Sequence, residues 1–318
     1  RRLAALSHIL AAAGIFLSGH FSTGSGVMLI WRVIISVQEH IFLPLISGIG
    51  MEFAREGNIG KRLGQLNSAG NVATIIGGFI VFIGFRFLNF DFPISFTIAA
   101  AGVLISAFLL YGMRPDDLHP EHSKFTLRRE YGLYYWLCIL FGTRKQIFLT
   151  FAPWVLVTVF NKSTAMVAIL MTVGSVIGIF FNPLLGMAID RFGERRILMS
   201  EAFLLIFVCI GYGFSRLLFS EKIAFLVAAA CFIADYLLMS VGIARATYLK
   251  KIAVKPEDVS QTLSMGISID HIFSITIALL SGLIWKAFGY QYVFLLGAVI
   301  AVVNYFSASR IKIKKGTI

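Results

Sequence analysis

Charge is scarce in this sequence: only 14% of its 318 residues are Asp, Glu, Lys or Arg, against about a quarter in an ordinary soluble domain. With 58% hydrophobic residues and a mean hydropathy of +0.84, that deficit excludes a chain whose solvent is water. Cysteine is rare as well. Cys138, Cys209 and Cys231 all fall inside apolar stretches without metal-type spacing and read as space-filling thiols, not as disulfides or ligands. The sequence carries no glycine-rich nucleotide loop, no metal cluster and no nucleophile motif, so primary pumping, cofactor chemistry and enzymatic activity have no support. Residues 1–20 lack the cleavage pattern of a secretory signal and read as an ordinary span.

What the chain has in abundance is apolar length. Hydropathy and punctuation place helices near 3–19, 26–51, 65–85, 94–112, 131–160, 164–188, 197–215, 223–249, 260–285 and 291–309, each able to cross a hydrocarbon core of about 30 Å. The expectation is an all-α integral membrane protein with about ten transmembrane helices. Connections alternate between the two membrane faces. Of the 28 Lys and Arg residues, nineteen fall on one face, and five (Arg86, Lys162, Arg216, Lys222, Lys286) on the other. Arg32, Arg144, Lys145 and Arg245 lie within helices. The richer face is expected to be cytoplasmic, with both visible termini on it, in a plasma (inner) membrane. This clustering between spans, rather than along one face, explains the +12 formal charge without nucleic acid.

The longest polar connection, 113–130, holds Pro115, Pro120 and the basic stretch from Lys124 to Arg129. It divides the chain into an expected bundle at 1–112, a cytoplasmic linker at 113–130 and a six-helix bundle with a basic tail at 131–318.

Between the sixth and seventh spans stands Gly186-Met-Ala-Ile-Asp190-Arg191-Phe-Gly193-Glu-Arg195-Arg196. Gly186 would let two helices approach closely, Gly193 would permit a tight turn, and Asp190 would offer a carboxylate at the membrane edge to a basic residue or a helix N-terminus. This run resembles the G-x-x-x-D-R-x-G-x-R-R loop of the major facilitator superfamily. The resemblance implies two pseudo-symmetric six-helix bundles, with the visible spans corresponding to helices three to twelve and Arg1-Arg2 matching Arg195-Arg196. On that numbering the first two helices of the family pattern are missing. Each Arg pair precedes an apolar span closing on a similar group, Gly19-His-Phe21-Ser22 in one and Gly213-Phe214-Ser215 in the other, as parallel repeats would. A weaker likeness, Leu29-Ile-Trp-Arg32, resembles the L-x-x-x-R-x-x-Q-G pattern of proton-coupled drug exporters. It is one residue short, and Val33 to Ser36 supply no Gln-Gly.

Charges at bilayer depth cost at least about 2.5–3.5 kcal/mol each on insertion scales, so they should be paired or face a wet cavity. Arg32 and Glu39, seven residues apart, share a helix face. Arg144, Lys145 and Gln146 fall mid-span, Asp235 is central in its helix with Arg245 nearer the cytoplasm, and Asp270 and His271 lie near mid-depth. The resemblance implies that the family's cavity and side-wall helices carry these charges. The spans at 3–19, 94–112 and 291–309 hold none, and 197–215 holds only Glu201.

Arg144, Lys145, Gln146 and Arg32 are therefore candidates to bind an anionic group. In the alternative reading, one of the two adjacent cations neutralises Asp235 or Asp270. Glu39, Asp235 and Asp270, with His271 as a relay, are candidate proton carriers. The expected function is secondary transport of a small, anionic solute by alternating access, coupled to protons, in a monomer that needs only its substrate and the lipid bilayer as partners. A multidrug exporter, whose cavity should be more acidic and apolar, and a transporter-like sensor or assembly protein are the rivals. By resemblance the Asp190 to Arg196 loop latches an outward-open state.

Overall fold

A computed structural model describes residues 2–21, 25–55, 57–113 and 128–313, apart from the side chains at 25, 40, 44 and 86. Most of the 113–130 connector, Arg1, the basic residues beyond 313 and the side chains of His40 and Pro44 thus lie outside the described residues. Among the described residues the secondary structure is helical throughout. The elements are α1 (Arg2–His20), α2 (Ser25–Glu52), α3 (Ile59–Phe87), α4 (Phe92–Gly112), α5 (Gly132–Thr158) and α6 (Thr164–Phe192). They continue with α7 (Glu194–Leu218), α8 (Glu221–Leu238), α9 (Gly242–Ile252), α10 (Asp258–Phe288) and α11 (Tyr290–Ser309). A single 3-10 turn, Met239–Val241, separates α8 from α9 within one apolar span.

Nine helical stretches among the described residues are long and apolar enough to cross a membrane. The tenth span is α5, whose 27 residues reach about 40 Å but whose apolarity is diluted by Arg144, Lys145 and Gln146. Helix ends follow local chemistry. Asp91 caps α4 by accepting from the Ile94 amide at 2.8 Å, and Ser163 caps α6 through Met166. α6 and α7 are joined by Gly193 alone at φ 83°, and α10 and α11 by Gly289 alone at φ 104°, a region that side chains other than glycine avoid. Pro153 and Pro183 lie inside α5 and α6 without interrupting them. A transmembrane helix tolerates the lost amide when neighbouring helices brace it.

Contacts group the chain into two compact units: residues 1–49 with 74–123, and residues 50–73 with 124–318. In the first, α1 packs on α4 through small residues. Ala4, Ala5, Ala11 and Ala12 are buried on one helix and Ala100 and Ala107 on the other, the composition that lets membrane helices approach. His8 packs edge-on against Phe42 at 4.4 Å. In the second, Phe148, Tyr212 and Phe294 form a mutual ring cluster with centroids 4.7–5.7 Å apart.

The first half of α3 joins the second unit because glycines seat it on α6. A Cβ on Gly60 would lie 2.6 Å from the Gly186 carbonyl oxygen, and Ser68 Oγ donates to the Ile179 carbonyl at 2.7 Å. The contact units therefore cut across α2 and α3, whereas the sequence-based partition follows chain order.

Candidate functional site

Arg144 and Lys145 are neighbours on α5, and successive helical residues point about 100° apart. They consequently address different partners. Arg144, 2% exposed, donates through Nη1 to Asp235 on α8 and through Nη2 to Glu201 Oε1 on α7 at 3.4 Å. Lys145 Nζ pairs with Asp270 Oδ2 on α10 at 2.5 Å. The two systems differ in access: the Arg144, Asp235 and Glu201 side chains are at most 5% exposed, while those of Lys145 and Asp270 are 17% and 11% exposed.

A glycine makes the second pair possible. A Cβ on Gly142 would run into the Asp270 carboxylate and carbonyl, so the absent side chain lets α5 and α10 close on each other. Ser274 ties the same contact, donating to the Gly142 carbonyl at 3.0 Å and lying 3.4 Å from Asp270 Oδ1.

Phe141, one turn before Lys145, is shared by three cations. Its ring centroid lies 5.5 Å from the Arg144 guanidinium carbon, 5.3 Å from Lys145 Nζ and 3.5 Å from the guanidinium carbon of Arg245 on α9. Arg144, Lys145 and Arg245 face Glu201, Asp235 and Asp270, so the formal charges of the cluster cancel.

Of the residues expected from sequence, Arg144, Lys145, Asp235 and Asp270 come together here. Gln146, half-buried, donates to Thr150 Oγ1 at 2.8 Å. His271 follows Asp270 on α10, half-buried and with contacts of its own. Arg32 and Glu39 sit on α2 in the other contact unit, both exposed. Glu201 and Gly142 were not among the expected site residues, nor was Arg245. Glu201 lies two turns into α7, which begins at Glu194. Its signal was a lone carboxylate in an apolar run.

A second constellation surrounds the α6–α7 turn. The Asp190 carboxylate accepts from the Gly60 amide at 2.8 Å through Oδ1 and from the Lys61 amide at 2.7 Å through Oδ2. It thereby satisfies two orphan amides at the N-terminus of α3 and meets the positive end of its dipole. Gly186, against Gly60 and Lys61, allows that approach. Buried Glu194, the first residue of α7, pairs with Lys251 Nζ at 2.7 Å. Arg191 extends over Phe192 with its guanidinium 5.4 Å from the ring, and Arg195 and Arg196 are exposed.

The model of the Major Facilitator Superfamily matches residues 1–253 and, in a second match, 139–311. The chain belongs to this superfamily. It is thus an integral, multi-pass, all-α membrane protein of a family of transporters that bind small molecules. No curated protein matches it closely enough to add detail.

Solved structures with the superfamily's fold cover nearly all of it. The E. coli fucose:proton symporter FucP aligns at 13% identity and a TM-score of 0.74 over 96% of this chain and 82% of that one. The human organic anion transporter MFSD10 aligns at 12% identity and 0.72, over 96% and 76%. A bacterial homologue of the iron transporter ferroportin in an outward-facing state aligns at 11% identity and 0.69, over 97% and 82%. At such identities the likeness to these transporters is one of fold.

Proposed function

We propose that this superfamily member is a secondary active transporter that carries a small anionic solute by alternating access, in symport or exchange with protons. The observation that supports this most directly is the partly accessible Lys145–Asp270 pair beside the sealed Arg144–Asp235–Glu201 cluster. An anion that approaches Lys145 competes with the Asp270 carboxylate for its ammonium. A proton on Asp270, relayed by His271 next in sequence, removes that competitor, so anion and proton bind better together than apart. Charge balance gives the same coupling. With the formal charges cancelled, an incoming monoanion leaves the site at −1 unless a proton accompanies it, and an uncompensated charge in a low-dielectric interior is strongly disfavoured.

Asp190 supplies the conformational element. Its two hydrogen bonds to the α3 N-terminus are available only while the α6–α7 turn lies against α3, so they bias the transporter toward the state that keeps this contact. The positive-inside rule, applied to the basic connectors, supports a cytoplasmic latch, and a monomer in the plasma (inner) membrane is the simplest assembly.

Uptake by proteoliposomes containing the full chain tests the proposal. A small carboxylate or phosphate should accumulate in response to an imposed proton gradient, and Lys145→Gln should abolish accumulation while protein yield is retained. Accumulation that ignores the proton gradient would remove the coupling. Efflux of neutral or cationic aromatic compounds instead would favour a drug exporter, and absence of counterflow for every solute would favour a sensor.

A further inference from the structure

Five of the six charges in the cluster are accounted for by ion pairs; Arg245 is not. It is 6% exposed, yet among the described residues it donates no hydrogen bond and has no carboxylate at ion-pair distance. Its guanidinium carbon lies 3.5 Å from the centroid of the Phe141 ring. Stacking uses the flat face of a guanidinium and leaves its in-plane N–H groups without acceptors. A guanidinium edge with no protein acceptor is one that a bidentate anion can take.

The local fold keeps Arg245 unpaired and leaves room beside it. The 3-10 turn Met239–Val241 breaks the span between Asp235 and Arg245, and a mid-helix 3-10 segment often marks a functional hinge. Asp235 is committed to Arg144 and Asp270 to Lys145. Gly242 flanks the guanidinium: a Cβ there would stand 3.1 Å from Arg245 Nη2, so glycine keeps that edge open.

We propose that Arg245, stacked on Phe141, is the principal anchor for the carboxylate or phosphate group of the transported solute, with Lys145 as its second cation. This rests on the reading of the chain as an anion transporter and names the residue that would select the substrate's charged head. Phe141 fixes the plane of the fork, and the substrate group takes the two outward N–H donors that no protein oxygen uses. Lys145 joins once Asp270 releases it.

The test compares thermal unfolding of the detergent-purified full chain in sodium acetate, sodium succinate and sodium phosphate with that in sodium chloride at equal ionic strength. The wild type should gain stability with a carboxylate or with phosphate, and which of them does so identifies the head group. Arg245→Gln should abolish that gain while its midpoint in chloride falls clearly less than that of Arg144→Gln, because Arg245 balances the charge of the cluster at a distance but makes no ion pair. Arg245→Lys, which keeps charge but loses the planar fork, should weaken the response about tenfold or more.

Two results would overturn the assignment: a chloride midpoint for Arg245→Gln that falls as far as that of Arg144→Gln, which marks a structural cation, or a wild-type-sized anion response in Arg245→Gln. No response of the wild type to any of the three anions overturns it as well. A response retained by Arg245→Gln but lost in Lys145→Gln would remove Arg245 and leave anion transport standing. Accumulation of a neutral solute by the wild type, with no anion response, would remove both.

Discussion

Replacing Arg144 by Gln is the sharpest perturbation the structure offers, because one side chain pairs with two carboxylates in a sealed compartment. Asp235 and Glu201 are 3% and 2% exposed, so neither can turn to water when the guanidinium is gone. Breaking a buried pair by removing one partner costs about 3–5 kcal/mol. At the lower end of the usual conversion, about 2 °C per kcal/mol for a large domain, the unfolding midpoint should fall by about 6–10 °C.

Asp235→Asn should cost less, since Glu201 remains 3.4 Å from Nη2 as an alternative partner. The triple variant Arg144→Met, Asp235→Leu, Glu201→Leu should regain most of the loss, because well-packed apolar replacements of buried ion clusters are often neutral or stabilising. The protein carries its own reporters: Cys138 and Cys209 are buried, so a thiol-reactive fluorophore follows unfolding of the purified chain without labelling sites being added. An unchanged midpoint in Arg144→Gln, or a triple variant as unstable as the single one, would refute the reasoning.

Gly142→Ala should cost about 1–3 kcal/mol through overpacking and should abolish transport, because its Cβ enters the space of the Asp270 carboxylate; Gly132→Ala, where a Cβ meets nothing within 4 Å, is the matched control, and equal transport by the two variants would contradict the prediction. Asp190→Asn keeps the size of the latch but can no longer receive both amides, a loss of about 1 kcal/mol and about fivefold in the conformational equilibrium. Proteoliposome kinetics should show a lower kcat with little change in KM, and a change confined to KM would argue against a latch. Single cysteines introduced at Asp190 and at Lys255, in a chain whose native cysteines are replaced, should react with an impermeant maleimide from the same membrane face. Labelling from opposite faces would overturn the orientation inferred from the basic connectors.

The fold was legible because lipid imposes simple rules. An apolar run long enough to cross the bilayer must be helical to satisfy its backbone, and the ten spans appear at the expected places, with α3 starting six residues earlier and α6 ending four later than hydropathy suggests. Those extensions are polar turns beyond the apolar core, held by the Gly60–Asp190 contact, and no hydropathy window registers them. The acidic partners of Arg144 and Lys145 were visible as isolated charges, but their pairing was not, since the helices bearing them lie 57 to 125 residues away. Gly142 was the least readable of all. Its importance lies in what Asp270 would strike, and nothing in the run Leu140 to Gln146 distinguishes it from the many other glycines of membrane helices.

Six charges gather in one bundle, five of them buried, and helix packing alone would be served at lower cost without them. Insertion scales set about 2.5–3.5 kcal/mol against each charge at the centre of a span, and α5, with Arg144 and Lys145 side by side, is the span whose apolarity falls short of its neighbours'. Its partners on α7, α8 and α10 come later in the chain, so α5 must be accommodated in the membrane before they can neutralise it. An apolar cluster of similar volume would avoid that cost and hold the helices together as well. A charged cluster persists against this gradient where moving charge is the task, and the division within it is consistent with that: Arg144 is locked, Lys145 is held by one displaceable carboxylate, and Arg245 is stacked but unpaired. If the triple apolar variant at 144, 201 and 235 folds as well as the wild type yet no longer transports, the charges serve transport; if it transports normally, they are remnants of packing.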